Sequence, residues 1–130
     1  MTREIKFRAK SLDGLWEYGE LHLLFCEHPY IHNMNGARIY IDPDTVGQFT
    51  GLHDKNGKEI YEGDIIAANG KQIGYIVGGV RGYCYDVIYT PAKPNGEKDW
   101  SLYGVVVSDY PNQCEVIGNV HDNPELLTTK

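Results

Sequence analysis

The sequence is poor in the residues on which much enzymology and most extracellular scaffolds depend. Its 130 residues hold three cysteines, two methionines and two tryptophans, and Ser11, Ser101 and Ser108 are the only serines. Cys26, Cys84 and Cys114 are odd in number, far apart and outside any C-x-x-C spacing, which excludes a disulfide framework and predicts ordinary buried thiols in a reducing compartment. No serine sits in a G-x-S-x-G elbow, and neither a phosphate-cradling G-x-x-x-x-G-K nor a dinucleotide G-x-G-x-x-G occurs. No stretch approaches the roughly 20 apolar residues that span a bilayer, and the opening Met1-Thr2-Arg3-Glu4-Ile5-Lys6 lacks a signal peptide's apolar run. A cytoplasmic protein without a membrane partner is expected. Excess positive charge is missing too: 12 Lys and Arg against 18 Asp and Glu leave a net charge of −6, which opposes non-specific attraction to phosphate backbones.

What is present points to one mainly-β domain. An apolar content of 42% suffices for one core, and 15 glycines with 10 tyrosines suit pleated strands and tight turns better than helices. Residues 4 to 10 alternate, placing Ile5, Phe7 and Ala9 inward and Lys6, Arg8 and Lys10 outward. Asp13-Gly14 then reads as a hairpin turn into a strand over Leu15 to Gly19. Leu21 to Phe25 and Arg38 to Ile41 are further strands around an irregular stretch from Glu27 to Gly36, and Asp42-Pro43-Asp44-Thr45 closes the second. A short hairpin is expected around Asp54-Lys55-Asn56-Gly57.

Beyond Glu62, five apolar runs recur between turn signals: Ile65–Ala68, Ile73–Val77, Tyr83–Tyr89, Trp100–Val107 and Glu115–Ile117. Their spacing predicts a small SH3-like barrel. Asn123-Pro124-Glu125 predicts a capped helical turn near the end, and the loop from Pro91 to Asp99 is the expected mobile segment. The expected layout is an N-terminal β-hairpin lobe over residues 1–60, the barrel over 61–118, and a C-terminal helical turn and tail over 119–130.

Two stretches are distinctive: Val46-Gly47-Gln48-Phe49-Thr50-Gly51-Leu52-His53-Asp54-Lys55-Asn56-Gly57-Lys58-Glu59-Ile60-Tyr61-Glu62-Gly63-Asp64-Ile65-Ile66, and Glu115-Val116-Ile117-Gly118-Asn119-Val120-His121-Asp122-Asn123-Pro124-Glu125-Leu126-Leu127. With the opening Arg3-Glu4-Ile5-Lys6-Phe7-Arg8-Ala9, they resemble the YopX family of small phage and prophage proteins. The resemblance implies a mostly-β fold and a phage or prophage origin in a bacterial host. It implies no catalytic residues, because no activity is attached to the family. The motif itself is explained by turn chemistry: glycines at turn or bulge positions, Phe49, Leu52, Ile60 and Ile65 in the core, and Asp54 and Asp64 capping turn amides.

Candidate chemistry is sparse. His22, Cys26, His28 and His32 are four zinc-type ligands in eleven residues whose even numbers share a strand face, but they follow no standard ligand spacing and Pro29 interrupts them. Asp54-x-Asn56 lacks the third oxygen ligand and the glycine position of a calcium loop. A Cys84 or Cys114 nucleophile would need His53 or His121 beside it in space, and a lone cysteine in a β-run is more simply a small buried hydrophobe. No catalytic residue, metal or cofactor is assigned.

Binding has more to work with. Lys6, Arg8 and Lys10 form a basic stripe on one strand face, although an outer face ordinarily carries such charges. The barrel is crowded with aromatics, of which Trp100, after a polar loop, and Tyr110, before Pro111, are the best candidates for exposed anchors. The expected function is therefore a non-enzymatic protein-protein interaction module contacting a host or phage protein, self-association included. The alternative is a nucleic-acid-binding accessory protein using the basic stripe and barrel aromatics, with a small hydrolase-like enzyme third.

Overall fold

The computed structural model describes residues 6–23, 28–78, 85–91 and 93–127. The chain divides into two compact units, Met1–Gly51 and Leu52–Lys130, so the division falls earlier than the 60/61 boundary read from the sequence. The strands are β1 (Phe7–Lys10), β2 (Trp16–His22), β3 (Tyr30–Asn33), β4 (Arg38–Tyr40), β5 (Gly47–His53), β6 (Glu59–Tyr61), β7 (Asp64–Ala68), β8 (Lys71–Gly78), β9 (Tyr85–Tyr89), β10 (Asp99–Ser101) and β11 (Cys114–Asn119). They form two sheets, ordered β4-β3-β2-β1-β5-β6 and β10-β9-β8-β7-β11. The fold is mainly β, as the composition predicts.

In the first unit, the Ser11 hydroxyl accepts from the amides of Asp13 and Leu15, both at 3.2 Å, and folds the chain back between β1 and β2. β2 then runs unbroken to His22, so the break expected before Leu21 does not exist. β3 lies inside the stretch read as an irregular loop: His32 pairs with Glu20 on one side and with Arg38 on the other. Alternation sends Leu21 and Ile31 to one face, where Ala9, Ile31 and Ile41 form the core with Leu21 and Val46 against them. Asp42 caps a single helical turn over Pro43–Thr45, and the Thr45 hydroxyl accepts from the Lys10 amide at 2.8 Å while donating to the Asp42 carbonyl at 2.7 Å.

In the second unit, all five residues of β7 are buried, as suits a strand flanked by β8 and β11. Asn69 and Gly70, at φ +54° and +81°, make the tight turn into β8 that Asn-Gly predicts. Ile60, Ile66, Ile76, Val87, Leu102 and Val105 anchor the core. The strand expected over Trp100–Val107 stops at Ser101, and a helical segment over Gly104–Asp109 replaces its second half. The β-branched run Val105-Val106-Val107 invites the strand reading, but buried Leu102 and Val105 stand three apart with Val106 packed beside them, a helical stripe. The Ser101 hydroxyl accepts the Gly104 amide at 3.0 Å at the start, and the Tyr110 amide donates five residues back to the Val105 carbonyl at 3.0 Å at the end.

Only the five-strand content of the expected SH3-like barrel is met, since β10 and β11 end the sheet without pairing to each other among the described residues. The C-terminal turn spans Pro124–Leu127, with the Asn123 side chain accepting from the Asn119 amide at 3.1 Å. No helix among the described residues is long and apolar enough to cross a membrane.

Candidate functional site

Between β9 and β10, residues 93–97 form a hydrogen-bonded turn. The Lys93 amide donates to the Glu97 carbonyl at 3.3 Å, the Gly96 amide to the Lys93 carbonyl at 3.0 Å, and Asn95 accepts from the Glu97 amide at 3.0 Å. This turn places Lys93 and Glu97 over the end of β9, facing the helical segment that follows β10. Between them lies a cleft of about 590 Å³ lined by Tyr89, Lys93, Glu97, Trp100, Asp109 and Tyr110. A second hollow of about 600 Å³ shares Tyr89, Lys93 and Tyr110 and continues toward Lys71 and Gln72.

The cleft mixes aromatic faces with charge of both signs. The Lys93 ammonium sits 4.4 Å from the centre of the Tyr89 ring and 3.7 Å from the Glu97 carboxylate. Burial alone would lower the pKa of that ammonium, but the Tyr89 hydroxyl and the Glu97 carboxylate outweigh it and hold the group above the usual lysine value. Burial likewise raises the Tyr89 hydroxyl, against the opposing pull of Lys93. Trp100 is 48% exposed at the cleft, whereas exposed Val107 of the helical segment lines a different hollow, beside Cys114.

The two aromatic anchors read from the sequence therefore line one cleft, with Trp100 exposed and Tyr110 half-buried. Lys6, Arg8 and Lys10 belong to a different place, on β1 of the first unit. They do not form the solvated stripe that strand alternation predicts. Arg8 is only 5% exposed, with its guanidinium 4.6 Å from the Trp16 ring; Lys10 reaches the same ring at 5.7 Å and Lys6 the Phe49 ring at 5.6 Å. The aromatic residues of β2 and β5 cover the stripe, because cross-strand neighbours on one face lie only about 5 Å apart. Tyr89 is among the aromatics that the sequence places in the barrel and leaves open as core, while sequence reasoning missed Lys93, Glu97 and Asp109, charged residues in a turn and a helical segment that carry no local signal of their convergence.

His53, Asp54 and Cys114 line a separate hollow of about 330 Å³, which puts Cys114 near one of its two candidate bases. Its thiol is nonetheless buried, and burial together with the Asp109 and Asp54 carboxylates pushes its pKa up to about 11, the opposite of an activated nucleophile. Cys84 lies outside the described residues. Asp54 serves the fold: its carboxylate accepts from the amides of Asn56 at 2.8 Å, Lys58 at 2.9 Å and Val116 at 3.0 Å. Burial favours its neutral form, but these three donors and the Lys58 charge prevail and set its pKa below the usual carboxylate value.

Among the proposed metal ligands, Cys26 lies outside the described residues. His22 and His32 share a face with ring centres 6.4 Å apart, and no group of three His, Cys, Asp or Glu side chains capable of holding a metal ion occurs among the described residues.

Comparison with known proteins agrees with this architecture. The chain is similar to protein EF1440 from Enterococcus faecalis, whose crystal structure superposes with a TM-score of 0.50 at 27% identity, over 98% of this chain and 100% of that one. No curated protein matches. The family model described as YopX protein matches residues 3–128. With its two distinctive sequence stretches inside that match and its two antiparallel sheets, the chain belongs to the YopX family.

Proposed function

We propose that this chain is a non-enzymatic binding module of phage or prophage origin, acting in the bacterial cytoplasm by contact with a host or phage protein or with a second copy of itself. The observation that carries the reading is the cleft beside the helical segment, where exposed Trp100 stands with Tyr89 and Tyr110. Tryptophan and tyrosine concentrate binding energy at interfaces because each removes a large rigid surface from water at little entropic cost. The cleft also carries Glu97 and Asp109 against the single Lys93, so a cationic side chain of the partner fits best, stacking on the rings as Lys93 does on Tyr89. The raised thiol pKa of Cys114 and the structural employment of Asp54 support a reading without catalysis.

The test is capture of partners from host lysate by tagged protein, with and without nuclease, alongside the Trp100→Ala variant. A protein retained after nuclease by the wild type and lost by the variant is the expected result. Equal retention by the variant would remove the cleft from the function, and loss on nuclease treatment would replace protein contact with nucleic-acid binding.

A further inference from the structure

The first unit presents a second surface that the protein-contact reading does not use. Strand register aligns His22 with Tyr30 and Tyr40 in one row, and Glu20 with His32 and Arg38 in the next, across β2, β3 and β4. All six are even-numbered and project from the sheet face opposite Leu21 and Ile31, which pack into the core. The His22 and Tyr30 rings stack at 4.6 Å and 10°, the Arg38 guanidinium lies 4.5 Å from the Tyr30 ring, and Tyr40 meets Tyr30 edge-on at 6.5 Å and His28 at 5.9 Å. Tyr40 is 48% exposed, and His28, His32 and Arg38 are exposed.

We propose that this face of β2-β3-β4 is a stacking platform for single-stranded nucleic acid. Its six paired positions carry four rings, one guanidinium and one carboxylate, and no aliphatic side chain, which disfavours the apolar centre of a protein interface. The one carboxylate, Glu20, lies 2.9 Å from the His22 imidazole, while Arg38 stands at the exposed edge. With the histidines neutral, the Arg38 and Glu20 charges cancel, so in a chain of net charge −6 this face carries no net negative charge to repel an anion. Exposed rings beside a cation are the chemistry that binds unpaired bases, each stacked on a π-face with phosphates drawn to the positive group. A duplex hides its base faces and offers no such contact. With Tyr30 already covered by His22 and Arg38, the exposed Tyr40 and His32 rings accommodate about two bases. These residues differ from Lys6, Arg8 and Lys10, of which Arg8 is buried and the two lysines half-buried, and from the cleft of the second unit.

The experiment is fluorescence anisotropy of labelled 12-mers, oligo(dT), oligo(U) and a duplex of equal length, against the full chain at low and moderate salt. Saturable binding of a single strand, weaker for the duplex and falling with salt, is expected, and the DNA and RNA arms identify the preferred sugar. Tyr40→Ala should weaken it at least about fivefold. Arg38→Gln should weaken it and reduce the slope of log K against log salt by about 1. Tyr103→Ala, in the other unit, should leave it unchanged. Both platform residues are exposed, so their variants should fold, which circular dichroism melts check. Absence of saturable single-strand binding, equal affinity for the duplex, or binding indifferent to both platform variants would overturn the proposal, as would nuclease-resistant capture of a protein that depends on Tyr40.

Discussion

At the scale of single residues, Asp54 and Cys114 show how burial decides chemistry. Removing the Asp54 carboxylate strands the amides of Asn56, Lys58 and Val116. Asp54→Ala should therefore lower stability by about 1–3 kcal/mol, measured by urea denaturation at pH 7. Because the folded carboxyl sits below the ordinary aspartate value of 3.8, its charge stabilises the fold at pH values above that. The stability gap between wild type and Asp54→Asn should close as the pH falls below 3.8 and through the lower folded value. Cys114, with a thiol raised to about 11, should resist alkylation in the native protein at pH 8 and react only after unfolding; labelling read by mass spectrometry checks this, and fast labelling of native Cys114 would revive the nucleophile reading.

At the scale of elements, two glycines hold neighbouring parts at close approach. A Cβ on Gly74 would run into the Ile88 carbonyl of the adjacent β9, where backbone cannot give way cheaply. Gly74→Ala should cost about 1–3 kcal/mol in thermal or urea unfolding. A Cβ on Gly104 would meet the Trp100 indole and the Ser101 hydroxyl instead, both side chains. Gly104→Ala should therefore change the Trp100 fluorescence, with Trp16→Phe removing the other tryptophan signal, while costing less stability than Gly74→Ala. The turn signals around Asn69-Gly70 and Asp54 to Gly57 were legible because they are local: a positive φ or an Asx bond needs only residues a few places apart. The helical segment after Ser101 was not, because three successive valines favour a strand locally and only the shared burial of Leu102 and Val105 reverses that preference.

At the scale of the whole molecule, local stability should follow sheet position. Amide exchange should be slowest in β7, buried throughout and paired on both sides, and fastest at the edges β4 and β10, a pattern that hydrogen exchange with mass spectrometry resolves. The sequence by itself determined the β class, the family, the turns and the poverty of catalytic motifs, since composition, periodicity and short-range turn chemistry act along the chain. It also marked Trp100 and Tyr110 without showing that one cleft holds both. Tertiary structure alone decided that Arg8 is buried against Trp16, that Lys93, Glu97 and Asp109 converge on those aromatics, and that His22, Tyr30, Arg38 and Tyr40 share one exposed face. Those outcomes depend on which strands pair, and in what register, between residues far apart in sequence, and side-chain alternation along a single strand carries no information about its neighbour.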